Sequence, residues 1–236
     1  MRQLACNSIP LCFFIILLIV PLRALALPTI NCHCFTDRSY DTARPAAADP
    51  YFLAMTQNSF FTVVFNVDKK TIVFKKQQGT SPDDLWIAYW IASKLGVSPD
   101  FLLQSKSNSE WKDVAAQLKF STKALGSQFS RLLSTKAPSA ALAETVVDSL
   151  FVRYKFMSDV DLAALRQAGA SNQELIIAAV IAAKTRQPAK QAYLDVKKDG
   201  KTWGYLLREA KVDTKNMQHE ISRILKLDSQ FLPSGS

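Results

Sequence analysis

Apolar residues return at helical spacing along most of this chain, and one stretch of the pattern occurs twice. Leu85, Ala88, Ile91, Ala92 and Leu95 fall on one face of a 3.6-residue period, bounded by polar positions. Leu175, Ala178, Ile181 and Ala182 repeat that stripe at an offset of 90. The segment from Asp68 to Lys94 aligns without a gap on Ser158 to Lys184. Gln77, Gly79, Ser81 and Lys94 find identical partners in Gln167, Gly169, Ser171 and Lys184. After a slip of two residues, Trp111 matches Trp203 and Lys123 matches Lys215. Self-similarity at this scale predicts one supersecondary unit used twice.

The elements follow from the pattern. Asp49-Pro50 marks a helix start, with Asp49 as N-cap and Pro50 at the first helical position. Ser81 with Asp84, and Ser171 with Glu174, predict capped helix N-termini, the second a full capping box. Gly79 and Gly169 fall at the left-handed position that ends the preceding helix. Ser98-Pro99 and Pro188 begin the next helices. Trp111, Val114, Ala115 and Leu118 form a short amphipathic helix that Trp203, Leu206, Leu207 and Ala210 repeat. Ser121 or Thr122, and Asp213 or Thr214, cap the last helix of each unit.

One stretch pulls the other way. Phe60 to Val67 and Thr71 to Phe74 are rich in β-branched and aromatic residues, and propensity alone makes them a hairpin. Their counterparts around Asp159 to Ala168 are good helix formers, so both units are expected to be helical. The expected fold is all-α: a tandem-duplicated helical repeat of about twelve short helices in two similar six-helix units (residues 50–136 and 137–230). An irregular leader (27–49) precedes them and a short disordered tail (231–236) follows.

The first residues have a different grammar. Arg2, the apolar run Leu11 to Val20 and the small-x-small site Ala24-Leu25-Ala26 make residues 1–26 a cleaved signal peptide. The apolar run is short for a bilayer span, so no stable membrane span is expected in the mature chain, and the protein is expected to be periplasmic or secreted. Removing Arg2 and Arg23 from the 29 basic residues leaves 27 against 20 acidic ones, a charge of +7. This excess is dispersed. It suits a soluble protein that meets an anionic surface.

Export also changes the meaning of the cysteines. Cys6 and Cys12 leave with the signal, and Cys32 and Cys34 remain in an oxidising compartment. Cys32-His33-Cys34 is the one chemically loaded cluster. A Cys-x-Cys pair closes a strained, exchange-prone disulfide, or with the imidazole offers soft ligands to Cu or Zn. His219, the other histidine outside this cluster, is expected at the surface of an amphipathic helix.

Trp86, Tyr89 and Trp90 crowd one helix whose counterparts are Ile176, Ala179 and Val180. They are expected either to fill core or to line a groove for a partner. Trp111 to Leu133 resembles a helix-turn-helix signature, with Ala115 at the small position, Leu125 at the later apolar one, and Lys119 where that signature prefers Gly. Export argues against nucleic acid as partner. The order of helix, Gly, Ser-capped helix and Trp-headed helix is also similar to helical units of exported bacterial proteins; that resemblance transfers no activity and no site.

No Gly-rich phosphate loop and no Ser/His/Asp set emerges, and the carboxylate pair Asp83-Asp84 sits where a helix start explains it. The expectation is therefore a non-enzymatic binding or scaffold module of the bacterial envelope, with no resident cofactor and with a protein or an anionic envelope polymer as partner. The alternative is a thiol-redox or soft-metal (Cu/Zn) protein working through Cys32, His33 and Cys34.

Overall fold

A computed structural model describes residues 35–107, 109–119 and 121–227. Among the described residues the chain forms helices and no strand. The elements are α1 (Asp49–Phe65), α2 (Lys69–Gln77), α3 (Pro82–Leu95), α4 (Pro99–Lys106), α5 (Trp111–Leu118), α6 (Ser127–Ser134), α7 (Ser139–Tyr154), α8 (Asp159–Gln167), α9 (Asn172–Thr185), α10 (Ala189–Lys197), α11 (Trp203–Glu209) and α12 (Met217–Ile224). The first four helices of residues 49–106 begin 90 residues before α7, α8, α9 and α10, and α6 begins 90 before α12.

The strand-like run is helical, as its counterpart demanded. Phe60 to Phe65 close α1, Asn66 takes a left-handed conformation (φ 51°), and Thr71 to Phe74 lie inside α2. Tertiary context decides this. Every residue of α1 from Ala54 to Val63 is buried, so β-branched and aromatic side chains find packing on all sides of the helix. Ser81 accepts from the Asp84 N–H at 3.0 Å, and Ser171 with Glu174 completes a capping box.

Two details differ from expectation. The last helix of each half is split. Ser121 and Asp213 open short 3-10 turns (Thr122–Leu125 and Thr214–Asn216), and α6 and α12 begin only after them. In the first half Gly126, at φ 95°, separates turn from helix. Asp49, expected to cap its own helix, reaches elsewhere. Its carboxylate accepts from the backbone N–H of Trp203 at 2.9 Å and of Gly204 at 2.8 Å, and so satisfies the start of α11. The turns of residues 44–48 lead into α1 instead.

That contact belongs to a wider exchange. α1 packs on α9, α11 and α12, whereas α7 packs on α3 and α6. Each half's opening helix thus lies against helices of the other half. Ser139, which stands 90 residues after Asp49, donates to Asp84 at 2.9 Å, and the same carboxylate oxygen accepts from the Trp111 indole at 2.7 Å. Phe60 ties the exchange together at the centre. It stacks on Phe156 at 5.1 Å, meets Phe151 edge-on at 5.5 Å and lies 6.1 Å from Trp86. The core runs continuously through both halves.

The segment that carries the helix-turn-helix resemblance is α5, a left-handed Lys119 (φ 50°), the 3-10 turn and α6. Lys211, the residue corresponding to Lys119, is left-handed too (φ 54°). Both lysines thus adopt the conformation that explains a glycine preference at that place. No helix among the described residues is long and apolar enough to cross a membrane.

Candidate functional site

Cys32, His33 and Cys34 lie outside the described residues. The aromatic candidates lie inside the core. Trp86 is fully buried, and Tyr89 and Trp90 are 8% and 4% exposed. Trp86 packs against Phe61 at 4.6 Å and Phe65 at 5.9 Å. The Tyr89 ring meets the same two phenylalanines at 5.0 and 5.8 Å. Trp90 donates its indole N–H to the Leu125 carbonyl at 3.2 Å. Of the two expected roles, core filling is the one seen, with Phe61 and Phe65 of α1 packed against Trp86 and Tyr89. Their counterparts Ile176, Ala179 and Val180 are buried as well, because α3 and α9 are both interior helices.

Helices α2 and α4 are joined at the surface by the ion pair of Lys75 with Asp100. Each partner of that bridge is followed or preceded by an exposed aromatic: Phe74 is 59% exposed and Phe101 is 50% exposed. Burial, then the charge of Asp100, pushes the Tyr89 phenol up to about 12. In the second half the corresponding positions are Ala164 and Gln191. Sequence reasoning missed the pair because Phe74 sits within an apolar run and has no special spacing.

The inner face of α2 is different. The helix is started by Asp68, whose carboxylate accepts from the Lys70 N–H at 2.8 Å. Lys69, Ile72 and Lys76 then share one face, with Ile72 fully buried. This face covers a polar stripe of α1. Lys69 Nζ donates to Ser59 Oγ at 3.2 Å, and Lys76 Nζ donates to Asn58 Oδ1 at 2.6 Å. Asn58, Ser59 and Thr62 are almost completely buried, and Thr62 Oγ1 has no hydrogen-bond partner. Neither lysine has a carboxylate within ion-pair distance among the described residues. Burial lowers both ammonium groups, Lys76 to about 8.

The corresponding place in the second half is closed. Asp148 stands where Asn58 does and Arg166 where Lys76 does. Arg166 bonds Asp148 Oδ1 through Nε at 2.9 Å and Nη2 at 2.7 Å, and gives further bonds to Asn172 Oδ1 and the Ala170 carbonyl. One half therefore holds a saturated ion pair, and the other an unpaired cation against an amide. The alignment of the two halves carries this signal: the acid of one pair is an amide in the other.

The remaining charged groups serve structure. Asp84 joins Trp111 to Ser139, as described above. Burial, then the like charges of Asp84 and Glu144, raises the Asp83 carboxyl. Surface cavities of about 200, 350 and 300 Å³ contain, respectively, the Asp195–Lys201 ion pair, Lys112 with Lys119, and Asp84 with Lys106. His219 lies on α12 and is exposed, as its place on an amphipathic helix predicts. No protein-family model matches the chain, and no curated protein and no solved structure matches it either.

Proposed function

We propose that this chain is a non-enzymatic binding or scaffold module of the bacterial envelope, exported by a cleaved signal peptide and working in the periplasm or outside the cell. Its body is a tandem duplication of a six-helix unit, and the two halves have since diverged. The observation that carries the reading is the α2–α4 face. Two large aromatics, Phe74 and Phe101, stand half in solvent next in sequence to the two partners of the Lys75–Asp100 bridge. Their counterparts in the other half are Ala164 and Gln191. Exposing Phe74 and Phe101 has no benefit for folding, and aromatics rimmed by charge are what a docking surface needs. The +7 charge of residues 27–236 favours an acidic partner, either a protein or an anionic polymer of the envelope.

The test is a comparison of three proteins immobilised against envelope extract. Wild type and Val160→Ser, which removes a still more exposed apolar side chain elsewhere, retain a partner that Phe74→Ser/Phe101→Ser loses. Equal retention by all three overturns the reading. The alternative, thiol-redox or soft-metal chemistry at Cys32, His33 and Cys34, rests on the sequence. It is tested by thiol titration and by Cu and Zn analysis of the wild type against Cys32→Ser/Cys34→Ser; identical results for the two proteins end it.

A further inference from the structure

We propose that the inner face of α2 is a binding site for a phosphate-type oxyanion, held between Lys69 and Lys76 against α1. It is a separate site from the aromatic docking face and stands without it.

The argument starts from charge. Lys69 and Lys76 both end on neighbouring residues of α1, Ser59 and Asn58, so two ammonium groups converge where α1 offers only neutral acceptors. An ammonium held out of bulk water gains from a counter-charge, and two other partly buried cations of this chain have one: Arg166 has Asp148 and Lys184 has Glu220. The nearest comparison is internal: Arg166 occupies the place of Lys76 and is neutralised by the carboxylate that Asn58 lacks. The missing negative charge is therefore specific to one half.

The surroundings fit an oxyanion. Each ammonium uses one donor on α1 and has two left. Thr62 Oγ1, one turn on from Asn58 and Ser59, is buried without a partner and adds a hydroxyl donor on the same helix face. Both lysines keep part of their surface in solvent, which leaves an ion a way in. Two ammonium groups and a hydroxyl suit a tetrahedral, multiply charged group better than a single carboxylate. Inorganic phosphate and a phosphate monoester, free or displayed on a larger molecule, share this chemistry.

The experiment is calorimetric titration of the full mature chain with inorganic phosphate at pH 7 and constant ionic strength, repeated with glycerol 3-phosphate. Wild type and Lys70→Met, which removes an exposed lysine of the same helix, bind with equal affinity. Lys76→Met and Asn58→Asp weaken binding at least tenfold. The second variant installs the carboxylate seen at Asp148, so it fills the anion's place while keeping the lysine and the fold. Binding of both ligands assigns an open site that takes esters, and binding of phosphate alone assigns a site for the free ion; either supports the proposal. Absence of binding by the wild type overturns it, as does an equal loss in Lys70→Met and Lys76→Met, which is simple charge screening.

Discussion

Removal of the Lys76 charge is expected to flatten the alkaline stability profile. The folded-state ammonium titrates at about 8, against 10.5 for an exposed lysine. A lowered lysine pKa means that the folded protein releases its proton more easily than the unfolded chain does. Below pH 8 both states are charged, and the folded state carries the full cost of the buried cation. Between pH 8 and 10.5 the unfolded chain binds more protons, so stability rises with pH until the cost is gone. The interval of about 2.5 pKa units corresponds to about 3.4 kcal/mol, and about 2.5 kcal/mol of it is recovered between pH 7 and pH 10. Solvent around the partly exposed lysine reduces the expected gain to about 1–2 kcal/mol. Urea unfolding of wild type and Lys76→Met at half-unit steps, in phosphate-free buffer, reads it as a difference. Other groups cancel in that difference, including Tyr89, whose raised pKa acts in the opposite direction above pH 10. Parallel profiles for the two proteins refute the buried-cation argument.

Further outcomes follow from particular contacts. A Cβ on Gly204 would lie 2.8 Å from a Phe52 ring carbon and 2.9 Å from Tyr40, so Gly204→Ala should destabilise by about 1–3 kcal/mol in thermal unfolding. Asp49→Ala strips the acceptor from two N–H groups of α11 and should cost about 1 kcal/mol in urea unfolding, although Asp49 and α11 lie at opposite ends of the described chain. Asp83→Asn should stabilise the protein at pH 7, because burial and two like charges disfavour the ionised carboxyl. Unchanged stability would show those charges to be screened. Phe60→Ala removes the ring at the meeting point of α1, α3 and α7 and should cost about 3–5 kcal/mol.

The helices were legible because local signals repeat. Ser81 and Ser171, Gly79 and Gly169, and the stripes of α3 and α9 set boundaries that each half checks in the other. That redundancy outweighed the strand propensity of Phe60 to Val67. What stayed hidden depends on long-range packing. No pattern in α1 says that it will lie against α9 and α12, since a helix buried on all sides has no polar face to orient it. For the same reason the sequence left Asp49 on its own helix. The aromatics of α3 left two roles open, because excess ring area over Ile176, Ala179 and Val180 reads equally as surface or as filling. Phe61 and Phe65 make it filling. The replacement of Asp148 by Asn58 was visible in the alignment, but its meaning needed the distance between Asn58 and Lys76.

The binding role is tested most directly in cells, by placing a photo-crosslinking phenylalanine analogue at position 74, at 101, or at the still more exposed Val160 of α8. The account predicts one discrete adduct, of the same size from positions 74 and 101 and missing from 160. No adduct at 74 and 101, or the same adduct at all three positions, would contradict it.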